Sequence, residues 1–140
     1  MKLSAEQIQA NWEIFLNNIE EHIPGNRGEC LVNFYKRYEE RIMLMPASHK
    51  KEYHSAFPGG YVDHVNRVVE ASLKMYGVWE QFGMDTSTFT IEELVFSAIN
   101  HDLGKMGDKE HEAYIPQTDN WRRDKLGEDY MFNKKLAFAS

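Results

Sequence analysis

The stretch Thr90-Ile91-Glu92-Glu93-Leu94-Val95-Phe96-Ser97-Ala98-Ile99-Asn100-His101-Asp102-Leu103-Gly104-Lys105 decides how the rest of the chain is read. Thr90 with Glu93 three residues on is the pattern of a capping box, in which hydroxyl and carboxylate each accept a hydrogen bond from an otherwise unpaired backbone N–H. Leu94, Val95, Ala98 and Ile99 then make a nearly all-apolar helix, which predicts a core position. That helix runs into His101 and Asp102 before Gly104. Burying two ionisable groups at the end of an apolar helix costs several kcal/mol unless they are paired or hold a cation, so a bound metal is expected to satisfy both. Adjacent helical residues point about 100° apart, so the pair would grip one ion from two sides at the helix end. A further histidine must then come from elsewhere.

Working towards the N-terminus, a second helix is expected from Tyr61 to the Gly83 region, with Val65, Val68, Val69, Leu73 and Tyr76 apolar. It places His64 in its first turn or two, one residue before Val65, and packing of the two helices would bring His64 to the 101–102 pair. Before it, residues 47–60 form a polar segment carrying His49, His54 and then Pro58-Gly59-Gly60, which cannot continue a helix and favours a tight turn. Ser4-Ala5-Glu6-Gln7 is another capping box, followed by Ile8, Trp12, Phe15, Leu16 and Ile19 at helical spacing, and this helix is expected to end before Pro24-Gly25. One more helix is expected from about Arg27 to Leu44, with Leu31, Phe34, Tyr38 and Ile42 on one stripe, stopping at Pro46.

Beyond Gly107 the residues are charged and aromatic with little periodicity, and a short helix is expected from about Asp129 onward. No alternation supports a sheet, and there are no internal repeats. The fold class read from these elements is all-α, a single domain over residues 1–140.

Composition narrows the functions. With 42% apolar and 13% aromatic residues, 140 residues suffice for one sizeable core. A formal charge of −6 argues against a protein that coats duplex DNA or an anionic membrane, but leaves room for a local basic pocket for one phosphate. Cys30 is the single cysteine, so no intramolecular disulfide forms, and Glu29-Cys30-Leu31-Val32 reads as a buried helix face. Neither an apolar leader nor a run of about 18 uncharged apolar residues is found, and a cytoplasmic, soluble protein with no membrane partner is expected.

His64 followed by His101-Asp102-Leu103-Gly104-Lys105 resembles the His…His-Asp motif of the HD metal-dependent phosphohydrolase superfamily. The lead-in from His54 through Pro58-Gly59-Gly60 to His64 is similar to the His-x-x-x-x-Gly-Gly-x-x-x-His segment of some HD nucleases and phage-encoded HD hydrolases. The resemblance covers roughly residues 47 to 108. It implies an HD-domain-like bundle of about five to six helices, with His64, His101 and Asp102 holding a divalent ion (Mn, Mg, Fe, Co, Ni or Zn), one or two per site. It also implies a fourth ligand, a distant aspartate. Asp108, Asp119, Asp124 and Asp129 follow the motif too closely for that role, so a partial sequence is expected, as the apolar end Leu136-Ala137-Phe138-Ala139 also suggests.

The implied reaction is hydrolysis of a phosphoester or phosphoanhydride of a nucleotide or short nucleic acid by metal-activated water. Lys105 would neutralise a phosphate oxygen; its simpler role is a solvated lysine complementing the helix dipole. His54 is open between a group orienting a ligand, a proton donor to the leaving oxygen, a ligand of a second metal, and a loop-stabilising hydrogen bond. His22, His49 and His111 read as surface residues, and Met43-Leu44-Met45 as packing. Trp121-Arg122-Arg123 reads as an exposed loop anchor, with stacking on a base as the sharper alternative. Two rivals stand beside hydrolysis. Inositol oxygenases of the same superfamily use a two-iron centre with a similar His-Asp-Leu-Gly-Lys segment, and a non-catalytic metal- or nucleotide-binding module would tolerate the missing aspartate. Homo-oligomerisation is left open.

Overall fold

The computed structural model describes residues 2–136 and is all-α apart from one small hairpin. Among these residues are six α-helices: α1 (Ala5–His22), α2 (Gly25–Arg37), α3 (Glu39–Leu44), α4 (Gly60–Gln81), α5 (Ile91–Asn100) and α6 (Asn120–Leu126). The expectations on Ala137–Ser140 lie outside the described residues. No helix among those described is long and apolar enough to cross a membrane.

Both capping boxes form. Ser4 Oγ accepts from the Gln7 N–H at 3.1 Å while Gln7 Oε1 accepts from the Ser4 N–H at 2.8 Å. Thr90 and Glu93 do the same at 3.1 Å each. The apolar stripes meet in one core: Trp12, Phe15 and Ile19 of α1, Val32 and Tyr35 of α2, Ile42 of α3, Tyr61, Val62, Val65 and Val69 of α4, and Val95, Ala98 and Ile99 of α5. Phe15 sits edge-on to Tyr35 with ring centroids 4.7 Å apart. α4 packs on α5 and on α1, which is the contact that fixes the site.

The expected helix from Arg27 to Leu44 is two helices. The helix is interrupted at Tyr38 (φ −110°, ψ 24°); α3 beyond it buries Ile42, and Arg41 donates to the Asp108 carbonyl at 2.6 Å. Cys30, read as a core thiol, is exposed. Gly28, Val32 and Tyr35 form the buried stripe of α2, and Cys30 lies two residues, about 200°, around the helix from Gly28.

The region after Gly107 differs most from expectation. β1 (Tyr114–Pro116) and β2 (Tyr130–Phe132) pair antiparallel, with Tyr114 opposite Phe132 and Pro116 opposite Tyr130. The helix in this region is α6, between the strands, not a segment from Asp129. Asp119 caps it by accepting from the Trp121 and Arg122 N–H groups, and Gly127 ends it in the left-handed conformation (φ 67°). Short strands of this kind carry too few residues to show alternation, and local capping outweighs weak periodicity.

Candidate metal centre

Two backbone devices build the site. α5 ends at Asn100; His101 is its C-cap and Asp102 leaves helical geometry (φ −111°, ψ 14°) before a 3-10 turn at Leu103–Met106. The helix end is held from the core, where the buried Tyr35 hydroxyl donates to Asn100 Oδ1 at 2.7 Å and Asn100 Nδ2 donates to the Phe96 carbonyl at 2.8 Å. The second device is the loop before α4. The Ala47 N–H donates to the Ser55 carbonyl at 3.0 Å, the Tyr61 N–H to the Met45 carbonyl at 3.1 Å, and buried Ser48 Oγ to the His54 carbonyl at 2.7 Å. Gly59 takes φ 80° at the N-cap of α4, and a Cβ on Gly60 would run into the Ser55 carbonyl oxygen. Pro58-Gly59-Gly60 thus lets the chain cross close beneath the segment that carries His54.

The packing of α4 on α5 brings His64 onto the His101–Asp102 pair. His64 Nε2 lies 3.3 Å from His101 Nε2 and 3.4 Å from Asp102 Oδ2, and His101 Nε2 lies 3.2 Å from Asp102 Oδ2. His54 stands alongside, its ring centroid 4.5 Å from that of His64. Donor atoms of His54, His64 and Asp102 all lie within 4.8 Å of one another. Lys105 Nζ is 3.1 Å from Asp102 Oδ2. The five residues singled out in the sequence therefore lie together, although Lys105 faces the carboxylate.

The donor set suits a divalent ion. Ligands held about 2.0–2.2 Å from one ion at tetrahedral or octahedral angles are roughly 2.8–3.6 Å apart, which brackets all three spacings among His64, His101 and Asp102. His101 Nδ1 is 2.7 Å from the Ala98 carbonyl, which only accepts, so Nδ1 carries the proton. In the neutral ring Nε2 then presents its lone pair to the cluster, the tautomer that a metal requires. Burial, with the His54 ring adding to it, lowers the His64 pKa against the opposing pull of Asp102, so His64 is neutral at pH 7. Burial alone would raise Asp102, but the Lys105 hydrogen bond and charge, with His101 and His64, hold its carboxyl below the usual range. The cluster thus offers a neutral His64 imidazole, the Nε2 of His101 and one carboxylate.

No second carboxylate joins these groups among the described residues. The Asp108 carboxylate instead accepts from the Glu110 and His111 N–H groups at 2.8 and 2.6 Å, and Asp119 caps α6. His111 accordingly belongs to a local turn.

A cavity of about 350 Å³ opens beside the cluster, lined by His101, Asp102, Gly104, Lys105, Ala113, Tyr114 and Phe132. Tyr114 and Phe132 escaped the sequence reading, their sole signal being the aromatic bias of the region after Gly107. His49, read as a surface residue, is half-buried and packs against both, with centroids 5.9 Å from Tyr114 and 5.0 Å from Phe132. A larger cavity of about 650 Å³ lies between α3 and the hairpin. Its lining mixes both charge signs, and Arg41 there is already engaged with the Asp108 carbonyl. The donor cluster, not cavity size, therefore marks the candidate site. Trp121 is 60% exposed on α6, which makes it a helix residue and not a loop anchor.

No family model, curated protein or solved structure matches this chain.

Proposed function

We propose that the chain is a metal-dependent phosphohydrolase of the HD type, in which His64, His101 and Asp102 hold a divalent ion and the substrate is a nucleotide or short nucleic acid. The observation that carries this reading is the mutual spacing of 3.2–3.4 Å among one carboxylate and two imidazole donors, drawn from α4 and from the turn that ends α5. An ion held there lowers the pKa of a water towards neutrality and polarises a phosphoryl oxygen. Asp102 supplies the negative charge, and the Ala98 carbonyl keeps the His101 lone pair turned inward. Lys105, at the edge of the cavity, neutralises a phosphate oxygen when it turns from Asp102. His54, exposed and beside His64, is placed to exchange a proton with a leaving oxygen. Nucleotides are favoured as substrates by resemblance alone.

The position of His54 favours a second reading of the same site, with two ions sharing the cluster, because its donor atom lies within 4.8 Å of those of His64 and Asp102. Metal content per chain after loading with Fe²⁺, together with oxygen consumption, separates a two-iron oxygenase from a hydrolase.

The test is product release from dNTPs, NTPs, monophosphates and cyclic dinucleotides with Mn²⁺, Mg²⁺, Co²⁺ or Fe²⁺, comparing wild type with Asp102→Ala. Hydrolysis that disappears in the variant is expected. Equal turnover in both proteins would refute the assignment, and ligand-induced stabilisation without product would leave a binding module.

A further inference from the structure

The cavity beside the cluster has two chemically different walls. One is formed by His101, Asp102, Gly104 and Lys105, and the other by Ala113, Tyr114 and Phe132. Tyr114 and Phe132 are directly opposed on antiparallel strands, so their side chains leave the same face of the hairpin. Their rings meet at 5.2 Å and 67°, and His49, which does not line the cavity, lies nearly parallel to Tyr114, at 23°. His49 also belongs to the loop that carries His54, so the hairpin and the cluster share one support. Tyr114 is 8% exposed and Phe132 half-buried, so Phe132 is the more exposed of the two rings that line the cavity.

Resting on the phosphohydrolase reading, we propose that Phe132, backed by Tyr114, is the stacking platform for the base of a mononucleotide whose phosphate meets Lys105 and the His64–His101–Asp102 cluster. An aromatic face accepts any base through its π-surface, while the opposite wall supplies the cation and donors that a phosphate needs. A volume of about 350 Å³ lies at the small end of ligand pockets, which run to roughly 1,000 Å³, so one nucleotide unit fits better than a strand. The platform sets affinity for the base and leaves the choice among bases loose, because stacking reads no hydrogen-bonding edge.

The test is calorimetric binding of adenosine 5′-monophosphate, ribose 5-phosphate and inorganic phosphate to the whole chain with Mn²⁺, in wild type, Phe132→Leu and Phe132→Trp. Phe132→Leu keeps apolar bulk on the hairpin but removes the aromatic face, and circular dichroism checks that it folds. Adenosine 5′-monophosphate is expected to bind about five- to a hundredfold more weakly to Phe132→Leu, as loss of one stacked base predicts. Phe132→Trp should retain that binding, and ribose 5-phosphate and phosphate should change less than twofold. The proposal is overturned if adenosine 5′-monophosphate fails to bind wild type, binds no more tightly than ribose 5-phosphate, or is indifferent to Phe132→Leu. Hydrolysis that needs Asp102 but ignores Phe132 and the base would remove the platform and leave the reaction. Phe132-dependent nucleotide binding without hydrolysis would do the reverse.

Discussion

Gly60 and Gly104 lie in the two segments that build the cluster, and they respond differently to a methyl group. At Gly60 a Cβ collides with the Ser55 carbonyl, which is backbone and cannot move without shifting His54. Gly60→Ala is expected to destabilise the fold by about 1–3 kcal/mol, the usual range for overpacking, and to weaken metal binding with it. Gly104 meets no atom within 4 Å, so Gly104→Ala should fold with nearly unchanged stability. Urea denaturation of both variants checks the contrast, and equal stabilities would show that the loop does not press on α4. His49 offers a pH test. Burial foremost, with the charge of Lys50 behind it, lowers its pKa against the opposing Glu128 and Glu52. As pH falls, the unfolded chain takes up this proton first, near 6.5, so the stability from a neutral His49 is full above about 6.5 and is lost as pH falls from there through the folded value. An NMR titration should place the His49 midpoint below 6.5; a midpoint at or above that value would mean that the ring is solvated. The sequence marked His64, His101 and Asp102 because their residue types repeat a motif. His49 and Cys30 read otherwise in the sequence because a distant hairpin packs on the first, and because Gly28, Val32 and Tyr35, not Leu31, set the main buried stripe of the helix that carries the second.

α5 holds the cluster through its two ends. Its N-terminus is closed by the Thr90–Glu93 box and its C-terminus by the Tyr35–Asn100 hydrogen bond. Thr90→Ala should cost about 1 kcal/mol, as N-cap losses generally do, and thermal melting read at the α5 end would register it. Should Thr90→Ala melt with wild type, the cap would be contributing nothing in the folded protein. Helices α1, α4 and α5 were legible because each repeats an apolar stripe over many residues or opens with a capping box. The break at Tyr38 was not, since the apolar stripe continues through it and only the backbone dihedrals of Tyr38 mark it. The hairpin strands of three residues each are below the length at which period-two alternation can be recognised. They are held instead by non-local pairing, with the Gln117 N–H donating to the Asp129 carbonyl and the Asn133 N–H to the Ala113 carbonyl.

One core joins α1 to the helices α4 and α5 that bring the donors together. Phe15, with no exposed surface, touches α2 through Tyr35, and Phe15→Ala should cost about 3–5 kcal/mol by leaving a cavity. If the core holds the cluster together, the loss should appear in metal affinity as well as in the denaturation midpoint. If His64, His101 and Asp102 form one divalent-metal site, as proposed, calorimetric titration of Mn²⁺ into chelator-stripped wild type and Asp102→Ala will register it. Binding to wild type and a loss of about a hundredfold or more in the variant is predicted, since removing a ligand should exceed the 10–100-fold effect of losing a group behind one. Equal affinity in the two proteins, or no binding to wild type, would contradict it.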